Sequence, residues 1–168
     1  LGRFDDALAS YDHALTLDPD DAECRRNRAM TLLLLGRFAE GWPAYEARWR
    51  TARFKGQDRG GKAPRWTAGL GDTLQFARYA ALLAAAGQHV ILECPAPLAR
   101  LMGSLDGDVQ VIAQGVRRPP SHDFQIPLMS LPGAFATDLA TVPADIPYLQ
   151  AADDECAAWR RRLDGLAG

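Results

Sequence analysis

A tetrapeptide that returns at a fixed distance constrains this chain more than any other feature. Leu1-Gly2-Arg3-Phe4 recurs as Leu35-Gly36-Arg37-Phe38, a spacing of 34 residues. At the same spacing Tyr11 matches Tyr45, and Ala7 matches Gly41. A period of this length describes a stack of two-helix units, each too small to bury its apolar face alone. The spacing predicts helices over residues 3–17, 21–35 and 37–51. Gly2 and Gly36 fall in the turns between paired helices, and Ala7 takes the small-residue position where two helices cross closely. Leu17-Asp18-Pro19-Asp20-Asp21 reads as the end of a unit, where Pro19 stops one helix and an acidic pair opens the next.

These residues resemble the tetratricopeptide repeat, with one and a half repeats over residues 1–55. The resemblance implies a groove that grips a protein or peptide partner, lined by Glu23, Arg26, Asn27 and Met30 with Leu33. A spacer or oligomerisation element is the plainer reading of the same helices. The second copy drifts: Leu8, Ala14 and Leu15 become Trp42, Arg48 and Trp49. Two tryptophans in place of aliphatic residues predict a last repeat that packs on something other than a repeat. Further repeats are expected upstream, because the chain opens inside the pattern and without Met.

Composition narrows the partners. A net charge of −2 gives no electrostatic reason to expect nucleic acid or an anionic membrane. The leucine run Leu32-Leu33-Leu34-Leu35 is one helical turn, and no apolar run approaches the length of a bilayer crossing, so no membrane span is expected. No apolar leader is read at the start of the chain. Cys24, Cys94 and Cys156 are far apart and odd in number, which suggests neither a zinc site nor a disulfide framework. They read as reduced thiols of a cytoplasmic protein. His13, His89 and His122 share no ligand spacing, so no metal is expected.

Residues 56–68 read as a linker, with Gly56, Gly60, Gly61 and Pro64. Arg53, Lys55, Arg59, Lys62 and Arg65 make this part of the chain basic, and Trp66 is suited to anchoring it. Gly69-Leu70-Gly71-Asp72 then reads as a glycine turn opening a helix, with Asp72 at the N-cap or in the first turn. The pattern predicts a helix over 72–86, strands over His89–Cys94 and Asp108–Ala113, a short third strand at Phe124–Ile126, and a short helix from Met129 interrupted by Pro132. A final amphipathic helix over 151–164 should turn Trp159 and Leu163 inward. Strand–helix alternation implies a parallel sheet, so the expected class over 69–168 is α/β with an incomplete Rossmann-like sheet behind an all-α segment.

One ordered set of words runs through nearly the whole chain. It comprises Gly41-Trp42-Pro43-Ala44-Tyr45-Glu46 with Arg48-Trp49, Pro64-Arg65-Trp66, Gly69 to Tyr79, and Val90-Ile91-Leu92-Glu93. It continues through Val111 to Gly115, Pro127 to Pro132, Val142-Pro143 and Pro147-Tyr148-Leu149. The set resembles bacterial proteins that join tetratricopeptide repeats to a heptosyltransferase-like glycosyltransferase domain. That resemblance implies the GT-B fold of two facing Rossmann-like halves, of which residues 69–168 match the first, acceptor-holding half. The nucleotide-sugar donor is expected on a second half absent from this chain, so no cofactor is expected here and the chain alone should be inactive. The resemblance implies Asp72 as general base on an acceptor hydroxyl, with Gly69, Gly71, Thr73 and Gln75 around a sugar or protein acceptor. From the four turn residues alone, Asp72 reads as readily as a helix cap, and the two roles are compatible.

The alternative comes from another class. The repeats recruit a protein partner, and the α/β part is a platform without chemistry. Dinucleotide binding is weaker, because no third glycine follows Gly69 and Gly71 at the required spacing; no Gly-Lys-Ser/Thr follows to make a P-loop.

Overall fold

The computed structural model describes residues 2–52, 69–115 and 120–166. The linker at 56–68, its basic residues and the Pro64-Arg65-Trp66 word lie outside them. The chain is mixed α/β and divides into two compact units. One holds the described residues of 2–52 with 124–142. The other holds 69–115, 120–123 and 143–166.

The helical unit begins with α1 (Phe4–Leu17) and α2 (Ala22–Leu34). Asp5 and Asp6 occupy the first turn of α1, where the helix dipole favours negative charge. Pro19 follows its end, and Asp21 then caps α2, its carboxylate accepting from the Cys24 N–H at 2.9 Å. At the far end of α2 the Gly36 N–H donates to Leu33 O at 3.0 Å and the Arg37 N–H to Leu32 O at 2.9 Å. This paired closure requires a left-handed residue, and Gly36 supplies it at φ +75°. Gly2, one period earlier, has φ +92°. Gly2-Arg3 and Gly36-Arg37 therefore repeat a backbone conformation as well as letters.

The third predicted helix stops short. α3 (Phe38–Tyr45) carries Pro43 inside it and tightens into a 3-10 turn, Glu46–Arg50. Proline removes one rung of the helical ladder, which accounts for the early end. α3 crosses α2 at Gly41, where a Cβ would lie 2.6 Å from Leu33 Cδ2. The core of this unit includes Leu8, Cys24, Ala29, Leu32 and Leu131.

In the second unit α4 (Leu70–Phe76) and α5 (Arg78–Ala85) replace the single helix expected over 72–86. They meet at Ala77, which stays helical while the Ala80 N–H reaches only three residues back, to Ala77 O at 2.9 Å. β1 (Val90–Cys94), α6 (Ala99–Met102) and β2 (Val109–Ala113) follow. The strands pair in parallel, from Val90 opposite Val109 to Cys94 opposite Ala113. They bury Leu92 and Cys94 with Ala77, Tyr79, Ala80, Leu98, Met102 and Leu105. Arg78 closes the unit. It donates to the Pro143 carbonyl and lies over the Tyr148 ring at 4.3 Å, while the Tyr148 hydroxyl donates to Leu74 O at 2.7 Å.

Three expectations are corrected. Residues 124–126 form no strand: Phe124 is 94% exposed, so this apolar triplet finds no sheet to bury it. The segment 124–142 belongs to the helical unit, where the sequence reading had joined it to the α/β part. It carries a 3-10 turn, Leu128–Ser130, and α7 (Leu131–Ala134), with Pro132 tolerated in the first turn. Finally, α8 (Asp153–Asp164) buries no residue. Trp159 and Leu163 are 56% and 57% exposed, and the Arg162 guanidinium of the same helix lies over the Trp159 ring at 5.1 Å.

Candidate functional site

Asp72 is the third residue of α4, so it is a first-turn residue and not the cap. Gly69 holds the cap position without a side-chain bond. α5 ends against the entry to β2, where a Cβ on Gly107 would meet Ala84 at 2.7 Å. His89 and Asp108, just before the two strands, pair at 2.8 Å. Because α4 and α5 run back into β1, the start of α4 lies toward the carboxyl ends of the strands. That is the edge where parallel α/β sheets place their ligands. Asp72 is half-buried and has neither hydrogen bond nor ion pair among the described residues. Gly69 lies beside it, since a Cβ there would be 3.7 Å from Asp72 Oδ2.

The other turn residues divide. Gly69, Gly71 and Gln75 are exposed. Thr73 is 1% exposed, and its hydroxyl donates to Gly69 O at 3.5 Å. Thr73 is therefore part of the packing beneath α4 and not a group an acceptor can touch. Thr73 and Gln75, two and four residues after Gly71, project from different sides of the helix, a distinction that their shared place after the glycine turn does not carry.

Glu23, Arg26, Asn27 and Met30 share one face of α2. Arg26 bridges its neighbours, 3.4 Å from Glu23 and donating to Asn27 Oδ1 at 3.1 Å. Met30 is 50% exposed and Leu34, one turn on, 67%. The face is a continuous row of polar and apolar groups open to solvent.

The helical unit also holds a polar cluster that sequence reasoning did not assemble. Arg48 is 1% exposed. It lies over the Tyr45 and Trp49 rings at 4.6 and 4.4 Å and pairs with Glu46 at 2.6 Å. It also donates to Ser130 Oγ at 2.6 Å. Glu46 accepts further from Trp49 Nε1 at 2.9 Å and from Ser130 at 3.3 Å. Trp42 Nε1 donates to Thr137 O at 2.8 Å, and a Cβ on Gly133 would stand 3.2 Å from Trp42. The Gly-Trp-Pro-Ala-Tyr-Glu word thus clasps the segment 128–137. The signal available in sequence was the drift of Leu8 and Ala14 into Trp42 and Arg48, and it pointed to a different neighbour for this helix.

Burial raises the thiols of Cys24 and Cys94 above their ordinary value, which keeps both protonated and poor as nucleophiles. Among the described residues no group of three or more His, Cys, Asp or Glu is placed to hold a metal ion. No described helix is long and apolar enough to cross a membrane.

The fold defines a mixed α/β protein whose small parallel sheet follows a helical segment. Compared with known proteins, the chain is similar to Protein FlbA of Caulobacter vibrioides, 39% identical over 94 residues. That match takes in 46% of this chain and 16% of FlbA, so the chain spans a small part of its relative's length. No family model matches, and no solved structure matches.

Proposed function

We propose that the α/β unit is the acceptor side of a sugar-transfer site, in a protein that joins tetratricopeptide repeats to a heptosyltransferase-like domain. Asp72 carries the proposal, as a carboxylate on the first turn of α4, half-exposed and free of partners among the described residues. It takes the proton of an acceptor hydroxyl as the oxygen attacks the anomeric carbon, and the bond from that carbon to the nucleotide's phosphate breaks. A carboxylate within hydrogen-bond reach of the hydroxyl contributes about 10²–10⁴-fold to such a step. The nucleotide-sugar donor binds elsewhere, on a part of the full-length protein beyond this chain.

The test is a calorimetric screen of nucleotide-sugars against this chain and against its longest natural version, followed by Asp72→Asn in the long version. Donor binding by the long form alone, with transfer reduced at least about a hundredfold by Asp72→Asn at unchanged melting temperature, supports the reading. Unchanged turnover removes Asp72 from the chemistry.

A second reading is favoured by the α2 row. Half-exposed Met30 beside Glu23, Arg26 and Asn27 gives a helix face with both apolar and polar grip, as a recruiting scaffold requires. In that reading the α/β unit is a platform, and no nucleotide-sugar binds to either version.

A further inference from the structure

The helical unit has a second surface with recognition chemistry, and it is not the α2 row. An open cleft of about 480 Å³ is lined by Leu15 of α1 and Pro19 after it, by Arg25 and Arg28 of α2, and by residues of the stretch from Pro43 to Arg50. At about 100° per residue, Arg25 and Arg28 lie on the side of α2 that carries buried Ala29 and Leu32, away from Glu23, Asn27 and Met30. None of the four groove residues read from the sequence lines this cleft.

The lining combines apolar groups, Leu15, Pro19, Pro43, Ala44 and Ala47, with three guanidinium groups, Arg25, Arg28 and Arg50. Glu46 is the one acid among the described residues of the lining, and both of its oxygens are already taken, by Arg48, Trp49 and Ser130. Arg28 is paired with Asp12 at 2.6 Å. Arg50 reaches Asp20 only at 3.8 Å, with side chains 54% and 89% exposed, a pair worth little in water. Arg25 has no carboxylate partner among the described residues. Its Nε donates to the Pro19 carbonyl at 2.8 Å, leaving its two terminal nitrogens without a partner among the described residues. Guanidinium N–H groups thus outnumber the carboxylates available to them among the described residues of the lining.

One wall of the cleft is a single stretch of chain. Pro43, Ala44, Ala47 and Arg50 succeed one another along α3 and its 3-10 continuation, a run of about 12 Å at 1.5–2 Å rise per residue. That length takes about three or four extended residues at roughly 3.3 Å each. We infer that the cleft between α1, α2 and the end of α3 is a binding site for a short extended acidic segment of a partner protein. Its carboxylates meet Arg25 and Arg50, and an aliphatic side chain rests on Ala44 and Ala47. Arginine forks match carboxylates bidentately, which gives the site direction as well as charge. The inference concerns the helical unit alone and holds whether or not the α/β unit transfers sugar.

The test uses the whole chain and a fluorescein-labelled peptide, EELEEL, read by polarisation at fixed ionic strength. QQLQQL removes the charge, and EESEES removes the aliphatic anchor. Saturable binding of EELEEL that exceeds both controls supports the site. Arg25→Gln, which keeps a donor for Pro19, and Arg50→Gln should each weaken it about tenfold, the worth of one charge-assisted contact. Ala47→Trp, which fills the trough without touching a charge, should abolish it, with circular dichroism confirming that the helices remain. Arg26→Gln removes the same charge from the other face of α2 and should leave binding unchanged. Equal weakening by Arg26→Gln overturns the proposal, as does binding of QQLQQL as tight as that of EELEEL. So does displacement of the peptide by inorganic phosphate at equal ionic strength, which would reduce the cleft to a simple anion site.

Discussion

The two units are closed by arginines, and the difference between those arginines separates their roles. In the helical unit Arg48 is buried completely, between two rings, a carboxylate and a hydroxyl. In the α/β unit Arg78 holds one backbone carbonyl and one ring, and is only half-buried. The first arrangement pins a segment 82 residues away in sequence with charge-assisted bonds in a dry setting. The second leaves the approach to α4 lightly tied, with Asp72 unengaged among the described residues. A rigid clasp suits a unit that presents a fixed surface. A loosely tied turn suits one that must admit a ligand.

The sharpest way to break this contrast is to remove the two arginines in turn. Arg48→Ala strands Glu46 and Ser130 and opens a void between Tyr45 and Trp49. Loss of one member of a buried pair costs about 3 kcal/mol, and partial exposure of Glu46 keeps this at the lower end of the range. Arg78→Ala should cost about 2 kcal/mol, the worth of one charge-assisted hydrogen bond and one ring contact. Denaturant unfolding of each variant measures both. Equal losses would mean that burial does not distinguish the two clasps.

Glycines sharpen the same comparison at smaller cost. Gly41→Ala sets a Cβ 2.6 Å from Leu33 Cδ2 and 3.2 Å from the Leu33 backbone nitrogen, in a close helix crossing. Overpacking there should cost about 1–2 kcal/mol even after the gain in helix propensity. Gly71→Ala meets no atom within 4 Å and should be neutral or stabilising by about 0.5 kcal/mol. Thermal melts of the two variants should therefore move in opposite directions. A further small gain is expected in the clasped segment from Ala136→Gly, since Ala136 has a left-handed φ of +48°.

How much of this was legible in sequence follows from how local each signal was. The repeat placed α1 and α2 within one residue at each end, because Gly36, Pro19 and Asp21 mark their boundaries by backbone chemistry that needs no tertiary partner. The strands were equally plain, since Val90-Ile91-Leu92 and Val109-Gln110-Val111-Ile112 are β-branched runs between polar turns. What failed was everything set by distant contacts. Phe124-Gln125-Ile126 has strand composition, yet its segment is drawn to the helical unit through Ser130, Gly133 and Thr137. α8 has an amphipathic pattern, but Trp159 and Leu163 both stay more than half exposed. For the candidate site, the position of Asp72 on a first turn could be read from Gly69-Leu70-Gly71. The burial of Thr73 could not, because it depends on what packs beneath α4.

The smallest expected effect lies at the open ends of the strands. His89 and Asp108 pair at 2.8 Å on the surface, and Asp108 holds the imidazole above its ordinary value near 6.5, first through the hydrogen bond and then through its charge. A raised value means that the folded chain binds this proton more tightly than the unfolded chain does. The stabilisation is therefore complete below about pH 6.5 and is lost as the pH rises through the folded value. His89→Asn should erase that slope while leaving stability at high pH almost unchanged, and denaturant midpoints measured between pH 5 and 8 will report it. If the wild-type midpoint instead rises with pH across this window and the variant flattens it, the pair is unfavourable as drawn. The entry to β1 would then have to be held by Val90 N–H on Asp108 O, at 2.9 Å, without help from the side chains.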